Sequence, residues 1–457
     1  MSARKALSVL FILLSSVCGA QTETPAVETG GKSLYAALFG GLFVNAVFHG
    51  SSRLFGADFA QTSWESVQTN LHSPWVWDND VFLFNHPGHP YQGGLYHAAA
   101  RAGGFTFYES LFFDALGSLT WELLGETDIP ALNDLIVTTA GGAVFGEMAH
   151  LLYLEAASPW AAVPVSPMSA VTNAALKRTP RRTRNLYRFS AGAGAGWLRS
   201  SKEIQPRFKK LSEANPTSMF PVYLGFDVVY NNPFTHASTT PYSQFEIMAL
   251  LGGSFWPPWM DWTILTDGYL LSFNPVYTEK NELSTGLSLH YDLIAGGNMN
   301  FSSQALDWTV KWRRLFANTA LEVKTHAGWT FFSSSQYYPA DDRSSSLDSR
   351  DAGNDYGTGG NLKGTITVRH KKRGTLSIGI FNYLFYIIPY NKPDSGGFDS
   401  LHLSYLEYSW RFNERLSLAL NNSFYIKLTH PRYYTGVVEM ANRVMVHVNW
   451  TVYARDR

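Results

Sequence analysis

Arg443-Val444-Met445-Val446-His447-Val448-Asn449-Trp450-Thr451-Val452 is the stretch on which the fold turns. Val444, Val446, Val448, Trp450 and Val452 are apolar, and Arg443, His447, Asn449 and Thr451 stand between them. Successive side chains of a strand point to opposite faces, so this run has one apolar face and one polar face. The pattern recurs upstream. Leu416, Leu418, Leu420, Phe424, Ile426 and Leu428 share a face, opposite Arg415, Ser417, Asn421, Ser423 and Lys427. Leu321, Val323, Ala327, Trp329 and Phe331 alternate with Glu322, Lys324 and His326. Leu306, Trp308, Val310 and Trp312 alternate with Asp307, Thr309, Lys311 and Arg313, and Leu283, Leu287, Leu289, Tyr291 and Leu293 with Ser284, Ser288, His290 and Asp292.

A soluble sandwich alternates in the same way, so strand length and connections decide. Twelve candidate strands start near residues 186, 219, 242, 260, 282, 304, 318, 361, 374, 400, 415 and 437, and most run for 10 to 16 residues. Ordinary soluble strands average about 5 to 6 residues, whereas a tilted membrane strand needs about 9 to 11. Connections after even-numbered strands are mostly short (278–280, 315–317, 371–373, 413–414), and the longest, 333–360, follows an odd one, as do 199–217 and 390–399. Short periplasmic turns and long external loops belong to an even-stranded barrel. Residues 186–457 are therefore expected to form a transmembrane β-barrel of about 12 antiparallel strands in a bacterial outer membrane, with 333–360 outside the cell. The polar face carries Asp227, Asp267, Asp292, Lys311, Arg313, Lys324, Arg369, Arg411, Lys427 and Arg443, which cannot face lipid. They imply a polar lumen, either a small water-filled pore or a space plugged by salt-bridged side chains. The basic tilt of the last hundred residues points to anions.

Composition agrees. Hydrophobic residues make up 45% of the chain and aromatics 15%, against 16% charged. Mean hydropathy is nevertheless −0.11, too low for a polytopic helical protein whose spans each need about 20 apolar residues. Lys+Arg and Asp+Glu stand at 36 each, so no charge excess points to nucleic acid. Residues 1–20 read as a secretory signal: Arg4 and Lys5, an apolar stretch over 6–14, and small residues before a cut after Ala20. Cys18 is the sole cysteine, so the exported chain is expected to have no disulfide and no thiolate chemistry.

Upstream of the barrel the period changes. Residues 21–157 read as a helical domain, intramembrane or periplasmic, and 158–185 as a basic linker with Lys177, Arg178, Arg181, Arg182 and Arg184. Such a run is either a solvated connector or a site for lipid phosphates. Apolar helices are expected over 33–49, around Tyr96, His97 and Arg101, over 105–125, and from Leu132 or Asn133 to about 155, with a tryptophan-rich connector (Trp64, Trp75, Trp77) after the first. Polar residues inside apolar helices are costly and need partners. His86, His89, Arg101, Glu109, Ser118, Glu122, Asn133, Asp134 and Glu147 are the candidates. Of these, His86, His89, Glu109, Glu122, Asp134 and Glu147 could form a catalytic or metal-binding cluster, or the whole set a hydrogen-bonded core that keeps the helices in register. No His-Glu-x-x-His or Glu-x-x-His spacing occurs, so no catalytic residues, metal or cofactor are assigned. Gly142 and Gly146 form a small-residue face suited to packing between protomers.

The stretch 85–147 resembles a bacterial outer-membrane family built on the domain of unknown function numbered 3943. The resemblance rests on Asn85-His86-Pro87, His89-Pro90-Tyr91, Gly93, Tyr96, Arg101, Gly104, Glu109-Ser110, Gly117-Ser118, Trp121-Glu122, Glu126 and Pro130. Asn133-Asp134-Leu135-Ile136, Thr138-Thr139, Gly141-Gly142 and Gly146-Glu147 complete it. It implies a porin-like barrel fused to a helical domain that packs within the membrane region. It also implies a ring-shaped homo-oligomer around lipid, phospholipid or lipopolysaccharide, with no established enzymatic activity. A small-solute pore and a lipid-modifying enzyme using the helical polar residues are the alternatives.

Overall fold

The computed structural model describes residues 31–78, 82–156, 158–205, 217–235, 237–255, 258–296, 299–337, 353–389, 396–431 and 436–454. The expected signal, 1–20, lies outside them. The chain forms two compact units, divided between Arg184 and Asn185.

The C-terminal unit is a closed barrel of twelve antiparallel strands. In chain order these are β1 (Leu186–Gln205), β2 (Val222–Tyr230), β3 (Phe245–Phe255), β4 (Pro258–Tyr277), β5 (Asn281–Gly296) and β6 (Met299–Leu315). Then follow β7 (Thr319–Tyr337), β8 (Gly353–His370), β9 (Gly374–Ile387), β10 (Gly397–Arg411), β11 (Leu416–Pro431) and β12 (Gly436–Ala454). A short extra segment, Thr217–Met219, pairs with β1 ahead of β2 and extends the same position in the circuit. Each strand pairs with its sequence neighbours, and β1 closes the ring on β12 from Arg188↔Ala454 to Gln205↔Gly436. Closure leaves no open edge, which is what hydrocarbon demands of a spanning sheet.

Alternation sets what each face meets. Leu362, Ile366, Ile378, Leu384, Leu406, Val446, Val448 and Trp450 are exposed on the outside, while Lys311, Lys363, Lys427 and Arg443 are buried within. An apolar outer band over a polar interior is the arrangement of a bilayer-spanning barrel. The protein is an outer-membrane β-barrel. In β9 both faces are apolar: Leu384 and Tyr386 are exposed, while Phe381, Tyr383 and Phe385 pack inside with Phe301, Leu401 and Leu403. Part of the lumen is thus filled by apolar side chains, which the expectation of a polar interior did not contain.

Boundaries also moved. β7 runs on to Tyr337 and β8 starts at Gly353, so much of the expected loop 333–360 is strand; residues 338–352 lie outside the described ones. β1 reaches Gln205 rather than ending near 199. Backbone pairing continues through Ser333-Ser334-Ser335, opposite Gly357, Tyr356 and Asp355, in a composition that reads as loop.

The N-terminal unit holds α1 (Leu34–Leu54), α2 (Trp64–His72), α3 (His89–Ala102), α4 (Phe107–Thr120), α5 (Leu132–Glu155), α6 (Pro159–Val165) and α7 (Pro167–Ala175). Caps explain several starts. Ser33 accepts from the Ala36 amide, and Thr106 forms a reciprocal capping box with Glu109. Pro90 and Pro167 stand in first turns, where a missing N–H costs nothing. Helix α1 continues through Gly50, past its expected end. The expected linker 158–185 is corrected in part: α7 lies there, and Met168 joins Val44, Tyr96, Ala98 and Ala99 in the core of this unit. Two of its arginines brace the helical unit. Arg178 donates to Ala102 O, and Arg182 donates to Tyr153 O near the end of α5, where a cation opposes the helix dipole. Among the described residues, two helices, α1 and α5, are long and apolar enough to cross a membrane by length and composition.

Candidate functional site

Two π-helical turns frame the polar residues of the helical unit: Phe84–Gly88 before α3 and Trp121–Gly125 after α4. Pro87, without an N–H, sits inside the first. Wide turns of this kind frequently mark functional sites, because they rotate side chains off the ordinary helical face.

The first cluster forms where the turn before α3 meets the start of α5. Asp78 Oδ1 accepts from Asn85 Nδ2 at 3.0 Å and from Asn133 Nδ2 at 2.8 Å, and the Asp78 amide donates to Asn133 Oδ1 at 3.0 Å. Asn133 Nδ2 also donates to Asp134 Oδ1 at 2.8 Å. His89 lies over the same group, its Nε2 3.7 Å from Asp134 Oδ1 and its Nδ1 3.2 Å from Thr138 Oγ1. His86 is fully buried with its ring 4.4 Å from that of Phe82. Burial, reinforced by the neighbouring His89, pushes the His86 imidazole down to about 3, and burial outweighs Asp78 to hold His89 low as well. Both rings are therefore neutral at physiological pH.

Glu122 belongs to the second π turn and ties the following loop: its Oε2 accepts from the Ala131 amide at 2.8 Å. Its carbonyl and that of Glu126 receive Asn70 Nδ2 at 3.3 and 2.9 Å. Ser118 is buried on α4, and Glu109 is not part of the cluster at all. Glu109 caps α4 and pairs with Lys32 at 2.6 Å on the surface. An acidic residue three positions after Thr106 is a cap in the first turn, and the dipole favours it there.

The second cluster lies between α3, α4 and α5, with His97, Asp114 and Glu147 buried and Arg101 partly so. His97 Nδ1 is 2.7 Å from Asp114 Oδ2, and its Nε2 is 3.1 Å from Glu147 Oε2. Arg101 Nε reaches the same Glu147 oxygen at 2.7 Å. Burial lowers the basicity of His97, yet Asp114 and Glu147 outweigh it and raise the ring to about 9. Burial pushes Asp114 up to about 6 against the pull of His97. Two cations thus face two carboxylates, and both imidazole nitrogens are engaged, so the group locks three helices rather than presenting a base to a substrate.

The close approach of α3 to α5 makes that locking possible. A Cβ on Gly93 would stand 1.9 Å from Thr138 O, and one on Gly142 2.5 Å from Gly93 C. On Gly146 it would meet Gly94 O at 2.7 Å and His97 Cβ at 2.4 Å. This corrects the expectation that Gly142 and Gly146 pack between protomers. Their face is filled by Gly93 and Gly94 of the same chain.

In the barrel the expected lumen residues are paired. Lys311 bridges Glu246 at 2.9 Å and Asp267 at 2.7 Å, Arg313 pairs with Glu282, and Lys427 meets Glu439 at 3.1 Å. Arg443 meets Asp261 at 3.2 Å, and Arg369 meets Glu322 at 2.8 Å. Arg411 differs: it is exposed at the short-turn end, where Nη1 donates to Lys371 O at 3.3 Å. With carboxylates opposite the cations, the anion preference inferred from the basic tilt loses its basis. A cavity of about 750 Å3 remains inside the barrel, with Arg188, Asp227, Glu246, Lys324 and Arg443 among its lining residues.

His97, Asp114, Asp78 and Asn85 are not among the candidate residues that the sequence singles out. His97 and Asp114 lie on different helices, so no local spacing joins them. The usable signal was chemical: a carboxylate within the apolar run 105–125 must find a cation, and His97 and Arg101 one turn apart offer two.

The molecule is a porin-like outer-membrane β-barrel preceded by a separate helical unit built around buried ion pairs. Residues 74–167, within the helical unit, match the family model described as "Domain of unknown function (DUF3943)". No curated protein matches the sequence. Among solved structures, the chain is similar to the COG4313 outer membrane channel from Pseudomonas putida F1, with 11% identity over 58% of this chain and 96% of that one, at a TM-score of 0.30. The P. putida toluene transporter TodX gives 8% identity over 59% and 91% of the two chains, at a TM-score of 0.23. The outer membrane protease OmpT from Escherichia coli gives 10% over 59% and 99%, at 0.27.

Proposed function

We propose that the protein is a non-enzymatic barrel whose helical unit drives assembly of a homo-oligomeric ring and encloses or organises membrane lipid. The supporting observation is the apolar surface that this unit leaves open. Along α1, Tyr35 (76% exposed), Phe39, Leu42, Phe43 and Val47 face outward, while Ala37, Gly40, Gly41 and Val44 pack inward. Phe55 (92%), Trp64 and Trp160 add to it. The 21 residues of α1 rise about 31 Å at about 1.5 Å per residue, close to the hydrocarbon thickness of a bilayer. A continuous apolar strip of that size is a site of association with lipid or protein. Phospholipid or lipopolysaccharide and further copies of this chain are the partners that fit it.

The test is purification of the full chain in mild detergent, with mass measurement and extraction of bound lipid. A particle of several subunits retaining lipid is expected. A monomer free of lipid overturns the reading. A second reading, passage of small solutes, is favoured by the lumenal cavity with its paired charges. Planar-bilayer recording checks it, and a barrel silent at all voltages excludes an open channel.

A further inference from the structure

We propose that the barrel wall holds a divalent transition-metal site made by Asp267, His290 and His326. These residues come from β4, β5 and β7, and all three are buried. Their ligand atoms lie within 4.8 Å of one another. A tetrahedral ion with bonds of about 2.0–2.1 Å sets its ligands roughly 3.4 Å apart, so the widest gap needs to close by up to about 1.4 Å.

The surroundings orient the donors. His290 Nδ1 is 2.8 Å from the carbonyl of Thr266 and 3.2 Å from Lys363 Nζ; with its proton on Nδ1, toward Thr266, the Nε2 lone pair is left for an ion. Nε2 faces Asp267 Oδ1 at 3.9 Å and Asp307 Oδ2 at 3.4 Å. Ser288 Oγ stands 2.9 Å from Nε2, but it can turn its hydrogen to Asp307 O at 3.2 Å. His326 is held through Nδ1, 2.8 Å from Thr309 Oγ1, with its ring edge-on to that of His290 at 4.7 Å. Two imidazoles and a carboxylate suit zinc, cobalt or nickel better than the oxygen-seeking magnesium or calcium.

Charge and access also fit. Glu246, Asp267, Asp292 and Asp307 share this layer with Lys311, Lys324 and Lys363, an excess of carboxylates over ammonium groups. Asp267, His290 and His326 all line the lumenal cavity, which gives an ion its route. Lys311, 2.7 Å from Asp267, is the built-in competitor for that ligand.

Full-length protein without a histidine tag, stripped with chelator in detergent, is dialysed against Zn2+ and titrated with Co2+ by absorption. One ion per chain is expected, with a tetrahedral Co2+ band. His290→Ala and His326→Ala should each weaken binding tenfold or more, and Lys311→Met should tighten it. Shifted migration of unheated barrel on gels confirms folding, and His290→Gln and His326→Gln replace the alanine variants if those fail it. Less than stoichiometric binding by the wild type, or unchanged binding in a folded variant lacking both histidines, overturns the site.

Discussion

Gly93→Ala tests whether α3 and α5 meet as closely as described. The new Cβ would stand 1.9 Å from Thr138 O and 2.9 Å from both Thr138 C and Gly142 Cα. Carbon–oxygen contacts settle near 3.3 Å, so α3 must withdraw by roughly 1.4 Å. All three contacts are backbone, so no rotamer change relieves them. Overpacking of this kind costs about 1–3 kcal/mol. Withdrawal also stretches the His97–Glu147 contact from 3.1 Å and forfeits dispersion along the interface. Against this stands a gain of about 1 kcal/mol in helix propensity. With a backbone clash this deep at the upper end of that range, the net expectation is a loss of about 2 kcal/mol. Gly50→Ala is the control, because a Cβ there meets nothing within 4 Å, and the same propensity gain should appear unopposed. At about 2–4 °C per kcal/mol for a unit of this size, Gly93→Ala should melt roughly 4–8 °C lower and Gly50→Ala slightly higher. Helical circular dichroism of the full chain in detergent reads the helical unit, while gel migration follows the barrel. Equal effects from the two substitutions, or a stabilised Gly93→Ala, would refute the close crossing.

Other outcomes follow from the buried charges and the outer band. His97 is held at about 9 in the folded chain, above its ordinary 6.5, so its contribution is complete below about pH 6.5 and lost as pH rises through about 9, to the extent of roughly 3 kcal/mol. Helix melting at pH 6 and pH 10 should differ accordingly, and His97→Gln should flatten the slope; a flat wild-type profile counts against the ion pairs. Lys427→Met leaves Glu439 buried without its cation 3.1 Å away and should cost about 3–5 kcal/mol, with Glu439→Gln in the same chain recovering much of it in urea unfolding. Ile378→Arg puts a charge at a mid-strand outward position beside Ile366 and Leu406, at a cost of about 2–4 kcal/mol in lipid. Ser377→Arg, on the cavity side, should assemble normally in a vesicle refolding assay.

Legibility followed range. Strands such as β12 were readable because alternation is local and one face must be apolar wherever lipid lies outside. β9 was harder, since Phe381, Tyr383 and Phe385 fill the interior while Leu384 and Tyr386 face out, and a run apolar on both faces shows no period. The ends of β7 and β8 were misplaced because serine, glycine and aspartate there read as loop, whereas ladder pairing carries them. In the helical unit, His89, Asn133 and Asp134 were found and do meet, being polar residues that cannot sit alone in apolar helices. Glu109 was included wrongly because composition does not separate a cap from a cluster; the Thr106–Glu109 spacing does.

The sequence by itself determined a twelve-stranded outer-membrane barrel, since period two, strand length and alternating connection length are properties of neighbouring residues. It also marked which helical residues needed partners. Only the tertiary structure decided who those partners are. Asp114 reaches His97 from another helix, Gly142 and Gly146 meet Gly93 and Gly94 rather than another copy, and Asp267, His290 and His326 converge from three strands. Each is a contact between segments distant in the chain, where only packing brings the groups together and burial makes an unpaired charge too costly to leave.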